Sequence, residues 1–91
     1  MKSTIIPLPD YAARLGLTVD ELTGKSRKSL LCAARKAYWL HLHLQGYGYS
    51  ATGRMFNRDH VTVMHGIRRL KCLIETCDDN AIRCINKLNN K

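Results

Sequence analysis

Apolar side chains recur along residues 57–74 at the spacing of a single helix face. At about 100° per residue, Val63, Ile67, Leu70 and Ile74 fall within roughly 60° of one another, while Thr62, His65 and Arg69 lie together on the opposite side. The first face asks for a core. The second carries hydrogen-bonding groups that the stability of a solvated helix does not require. A shorter helical stretch, residues 51–56, comes just before, with Ser50 as its expected cap. Asn57 and Arg58 make the turn between the two, and Asp59 or its neighbour is expected to cap the longer helix. Gly53 permits close approach of that helix, and Phe56, the only Phe in the chain, is expected to plug the angle between the pair. The pattern predicts a helix-turn-helix with residues 57–75 in the recognition position.

The rest of the chain is also helical in pattern. Pro9 and Asp10 open a stretch, residues 11–15, that Gly16 closes. Thr18-Val19-Asp20-Glu21 reads as a capping box at the start of a short helix through Leu22 and Thr23. Residues 29–45 form the longest run, with Leu30, Ala33, Ala34, Ala37, Leu40 and Leu44 as a stripe wide enough for the central helix of a bundle. Arg35, Lys36, Trp39 and His43 share its other side. Trp39 there either stacks on the Arg35 guanidinium one turn earlier or fills a contact with a neighbouring helix. His41 points with the apolar stripe and reads as a hydrogen-bonded core histidine. Residues 46–49 break the helix. Asp78 and Asp79 cap a last helix, on which Ala81, Ile82, Ile85 and Leu88 form the apolar stripe. With no strand pattern, repeat or low-complexity linker, the class is all-α: a small helical bundle, one domain over residues 1–91, with 1–8 and 89–91 as flexible ends.

Composition narrows the function. Ninety-one residues suffice for one modest core, and 45% apolar residues exclude a disordered chain. No apolar run approaches the ~20 residues a bilayer needs, and the start, residues 1–7, is too short in apolar length for a secretory signal, so a cytoplasmic protein without membrane contact is expected. The formal charge of +8 is concentrated. Between Leu22 and Lys71 stand ten basic residues (Lys25, Arg27, Lys28, Arg35, Lys36, Arg54, Arg58, Arg68, Arg69, Lys71) and one acid, Asp59. Such an excess repels itself unless a polyanion relieves it, and nucleic acid is the commonest such partner. Lys25, Ser26, Arg27 and Lys28, placed before a helix, suit backbone phosphates.

Other chemistries fare less well. Gly24-Lys25-Ser26 resembles the tail of a phosphate-binding loop, but Val19 stands where that motif's first glycine belongs and no strand precedes it, so no nucleotide is expected. Cys32, Cys72, Cys77 and Cys84 lack the spacing of a zinc finger and read as reduced thiols, so neither metal nor other cofactor is expected. No Ser, Cys or carboxylate is spaced to form a nucleophile with His41, His43, His60 or His65, and the reading is non-enzymatic. The scattered Tyr47, Tyr49 and Trp39 make no recognisable RNA module.

Several of these residues also stand in a familiar order. Lys25-Ser26-Arg27-Lys28, then Ala34-Arg35, then the run from Gly53 through Arg58-Asp59-His60-Val61-Thr62-Val63-Met64-His65 resemble the C-terminal DNA-binding domain of the bacterial replication initiator DnaA. The resemblance covers residues 9–88. It implies a Trp-repressor-like helical bundle that recognises double-stranded DnaA-box-type sites, monomeric on DNA, in replication-origin binding and initiation. It places Arg58, Asp59, His60, Thr62 and His65 where recognition-helix residues meet bases or phosphates in the major groove, Arg35 on a minor-groove arginine, and Lys25, Arg27 and Lys28 on a basic loop. The chain departs from the pattern at Val61, where Ser or Thr is usual, at Gly66, where Ala or Ser is usual, and at Thr52, where an apolar residue is usual. No ATPase module fits between Met1 and the domain, so origin melting is not expected of this chain alone.

The resulting expectation is sequence-selective duplex binding. Lys25, Ser26, Arg27 and Lys28 would hold phosphates, while Arg58, Asp59, His60, Val61, Thr62, His65 and Arg69 form the major-groove face and Arg35 enters the minor groove. Val61 would offer methyl groups to a thymine methyl. The alternative is a non-enzymatic adaptor that docks on replication proteins without selective DNA reading, for which Val61 and Trp39 would serve if exposed.

Overall fold

The computed structural model describes residues 6–24 and 28–89, and the side chain of Asn89 lies outside this description. Of the expected flexible ends, residues 1–5 and 90–91 also lie outside it. Six helices follow one another: α1 (Leu8–Leu15), α2 (Val19–Thr23), α3 (Ser29–Leu44), α4 (Tyr49–Phe56), α5 (His60–Glu75) and α6 (Asp79–Asn89). There is no strand among the described residues, in agreement with the all-α expectation.

Local chemistry sets most boundaries. The capping box at α2 forms as expected: Glu21 N–H donates to Thr18 Oγ1 at 3.1 Å, and Thr18 N–H donates to Glu21 Oε1 at 3.0 Å. Asp78 caps α6, its Oδ2 accepting from Ala81 N–H at 3.1 Å. Four helices leave through the same paired backbone bonds. At α1, Gly16 takes a left-handed conformation, and Leu17 N–H reaches back to Ala12 O while Gly16 N–H reaches Ala13 O. Gly46, Asn57 and Cys77 occupy the equivalent positions after α3, α4 and α5, all with positive φ. These exits keep the connections short and hold successive helices against one another.

The core gathers around α3, which packs against α2, α4, α5 and α6; α4 packs on α5, and α1 on α2 and α6. Tyr11 and Tyr38 stack with ring centroids 5.2 Å apart, and Phe56 meets Tyr38 at 6.0 Å and Trp39 edge-on at 5.8 Å. Phe56 is buried, with its ring contacts on Tyr38 and Trp39 of α3. The buried tyrosines find partners: the Tyr11 hydroxyl donates to Ala34 O at 2.9 Å, and that of Tyr38 to Ile6 O at 2.6 Å. Burial raises the Tyr11 pKa and pushes that of Tyr38 up to about 12. His41 Nε2 accepts from Ile6 N–H at 3.2 Å. This fits the expected hydrogen-bonded histidine, although it is only half-buried.

The expected stripe on α3 needs correction. Ala33, Ala34, Ala37 and Leu40 are buried, but Leu44 is 73% exposed, and Leu31, Arg35, Tyr38, Trp39 and Leu42 are buried too. α3 is thus enclosed nearly all round, because neighbouring helices cover both its small-residue side and its larger one. Trp39 does not stack on Arg35 in the solvent; it fills the contact with the helix-turn-helix.

Candidate nucleic-acid interface

The turn of the helix-turn-helix is built by α4 and its exit. α4 begins at Tyr49 with Gly48 in the cap position and no side-chain bond, two residues before the expected start and without Ser50 as cap. At its other end Arg58 N–H donates to Gly53 O at 2.7 Å and Asn57 N–H to Arg54 O at 3.4 Å, with Asn57 at φ 54. Asn tolerates this left-handed conformation better than most residues. A Cβ at position 53 would collide with the carbonyl oxygen of Arg58, so glycine there lets the turn fold back onto α4. Arg58 then closes the turn: its Nη1 donates to Phe56 O at 2.8 Å and its Nη2 to Gly24 O at 2.6 Å. The guanidinium anchors α2's exit to the turn and is half-buried.

α5 shows the two faces expected of it. Val63, Ile67 and Leu70 are buried and Ile74 packs against the core. Thr62, His65, Arg68 and Arg69 are exposed. Asp59, His60 and Val61 lead the helix and are exposed as well. Asp59 has the backbone of a cap but bonds no helix amide through its side chain; its Oδ1 lies 3.2 Å from His60 Nδ1. Asp59 thus holds the expected cap position without the capping bond, which leaves an acceptor and an imidazole side by side at the helix start. Val61 is 37% exposed.

Between α3 and α5 lies an open hollow of about 440 Å³, lined by Arg35, Lys36, Trp39, Arg58, Thr62, His65, Gly66 and Arg69. Five of the expected site residues (Arg35, Arg58, Thr62, His65, Arg69) meet here, and no acid lines it. Lys36 belongs to this group although it was not singled out; its place three residues before Trp39 on the same side of α3 is the signal that could have found it. Arg35 sits differently from its expected role. It is 6% exposed, with Nε donating to Leu22 O at 2.6 Å and Nη2 to Glu21 O at 3.3 Å. Burial lowers its pKa, with the Cys32 thiol opposing and the Arg58 charge reinforcing that shift. In this structure Arg35 is a strut between α2 and α3. Lys25, Ser26 and Arg27 of the basic loop lie outside the described residues, and Lys28 is exposed at the start of α3.

The described residues contain no group of three or more His, Cys, Asp or Glu placed to hold a metal ion. No described helix is long and apolar enough to cross a membrane.

Residues 11–70 match the family described as bacterial DnaA protein helix-turn-helix. The chain belongs to that family. The matched stretch runs from the first core aromatic, Tyr11, to Leu70, the last fully buried residue of α5. Similar relatives include the chromosomal replication initiator protein DnaA of Oenococcus oeni, 35% identical over 81 residues. That alignment covers 82% of this chain and 18% of the relative. The DnaA proteins of Clavibacter sepedonicus and Clavibacter michiganensis subsp. michiganensis are each 38% identical over 66 residues, covering 70% of this chain and 14% of theirs. The chain thus spans less than a fifth of the length of these DnaA relatives. No solved structure matches the chain. α6 lies outside the family match yet packs on α3, completing the core that carries the DnaA-type helix pair.

Proposed function

We propose that this chain is a non-catalytic module that binds double-stranded DNA sequence-selectively, with α5 in the major groove and DnaA-box-like sites as its targets. One observation carries the reading. The face of α5 turned away from the core presents Val61, Thr62, His65 and Arg69, Asp59 and His60 stand exposed at its start, and apart from the Asp59–His60 pair no side-chain bond among the described residues explains them. At 16 residues α5 is about 24 Å long, and a helix of this kind fits the roughly 12 Å width of the major groove. Asp59 can accept from a cytosine amino group, His60 or His65 can donate to a purine N7, and the Val61 methyls suit a thymine methyl. Arg69 and Lys36 at the hollow and Lys28 at the start of α3, with Lys25 and Arg27 just before it in the sequence, supply the charge for phosphates. Entry of Arg35 into the adjacent minor groove requires its guanidinium to leave the two carbonyls of α2.

Selection from random duplexes followed by fluorescence anisotropy tests the proposal. Thr62→Ala and His65→Ala should each reduce discrimination between the selected and a scrambled duplex by about 1–3 kcal/mol. Lys28→Ala should weaken both duplexes alike and lower the salt slope by about one. Equal losses on both duplexes for the first two variants would defeat the recognition-helix assignment. The adaptor reading loses one of its two supports, since Trp39 is buried and offers no docking surface.

A further inference from the structure

Gly66 lies inside α5 on the line Thr62, Gly66, Arg69, the edge along which the recognition helix meets α3. A glycine inside a helix is unfavourable relative to alanine, so its presence asks for a reason of space. The reason is Trp39. A Cβ built at position 66 would stand 2.6 Å from Trp39 Cε3, closer still to Cζ3, and 3.3 Å from Lys36 Cγ. The indole cannot retreat easily. Trp39 is 4% exposed, and its ring is held edge-on by Phe56 at 5.8 Å. Phe56 is itself buried against Tyr38, at 6.0 Å.

We infer that Trp39 is a positioning residue for the recognition helix: the bare backbone at Gly66 rests against the six-membered ring of the indole at Cε3 and Cζ3, and this seat sets how far Thr62, His65 and Arg69 stand out from the domain. The inference rests on the DNA-reading proposal above. Trp39 touches α5 from below and Phe56 of α4 from the side, so one side chain fixes both halves of the helix-turn-helix. Any group added at position 66 must tilt α5 or expel the indole, and the side chains nearest the displacement are those that face the hollow.

The test is a double-mutant cycle on the full chain with Gly66→Ala and Trp39→Leu. Anisotropy is read on the selected and the scrambled duplex, together with thermal melting and the emission of the only Trp in the chain. Gly66→Ala should lower affinity for the selected duplex at least tenfold, leave the scrambled duplex within about twofold, and red-shift the emission as the indole is moved. Adding Trp39→Leu makes room for the methyl group, so the double variant should recover most of the lost discrimination. Wild-type discrimination in Gly66→Ala, or a drop in melting temperature with the discrimination ratio unchanged, would overturn the positioning role. So would a double variant no better than Gly66→Ala alone. If wild-type protein discriminates no duplex, the DNA-reading proposal fails instead. The seat is then judged by emission and by coupling in melting temperature, and additive effects there would overturn it too.

Discussion

α3 and α5 are both 16 residues long, and the fold uses them in opposite ways. Nine residues of α3 are buried against four of α5, so α3 is held on nearly every side while α5 is held by one stripe and its glycine seat. The enclosed helix fixes where the other one stands. The half-exposed helix keeps a row of polar side chains that packing does not consume. Division of labour of this kind separates substitutions by readout: those in the core of α3 away from Trp39 and the hollow should act on stability, and those on the outer face of α5 on DNA discrimination.

The largest effect that would break the comparison is expected at Leu42, which is fully buried in α3. Leu42→Ala should cost about 2–5 kcal/mol in urea denaturation. Its folded fraction should still discriminate between duplexes as wild type does; a change in the ratio would show that α3 does more than support.

Arg35→Ala comes next. Removing the guanidinium leaves the carbonyls of Glu21 and Leu22 without their charged donor, at a cost of about 1.5–3 kcal/mol in stability. Unchanged stability with weakened DNA binding would instead show Arg35 leaving α2 to reach the duplex. For Thr62→Ala and His65→Ala the pattern should invert, with stability within about 0.5 kcal/mol of wild type while discrimination falls.

The smallest effect concerns pH. Burial lowers the His41 pKa, so the folded protein holds the neutral imidazole and the unfolded chain takes the proton more readily. The His41 contribution is therefore fully present above about pH 6.5 and declines as pH falls below that value towards the lowered folded pKa. Denaturation midpoints of wild type and His41→Leu at pH 8 and pH 5.5 check this. The wild type should lose more on acidification, and equal losses would refute it.

How much could be read in advance depended on the range of the interaction. The capping box at Thr18 and Glu21 was legible because both partners lie within one turn. The two faces of α5 were legible because one side meets a core and the other does not, which imprints a clear period. α3 was harder for the opposite reason: a helix surrounded by protein has no polar side to mark its orientation, and Leu44, in register with the apolar stripe, lies exposed at its end. Asp59 was expected at a cap that its carboxylate does not make, since local preference does not decide which way an exposed carboxylate turns.

By itself, then, the sequence determined six helical segments, the helix-turn-helix and the outer row of α5, all governed by neighbours within a few residues. The tertiary structure decided what distant residues do to one another. It committed Arg35 to the carbonyls of Glu21 and Leu22 and tied Arg58 to Gly24, 34 residues away. It also set Gly66 on the ring of Trp39, because each of these depends on where a separate helix comes to rest.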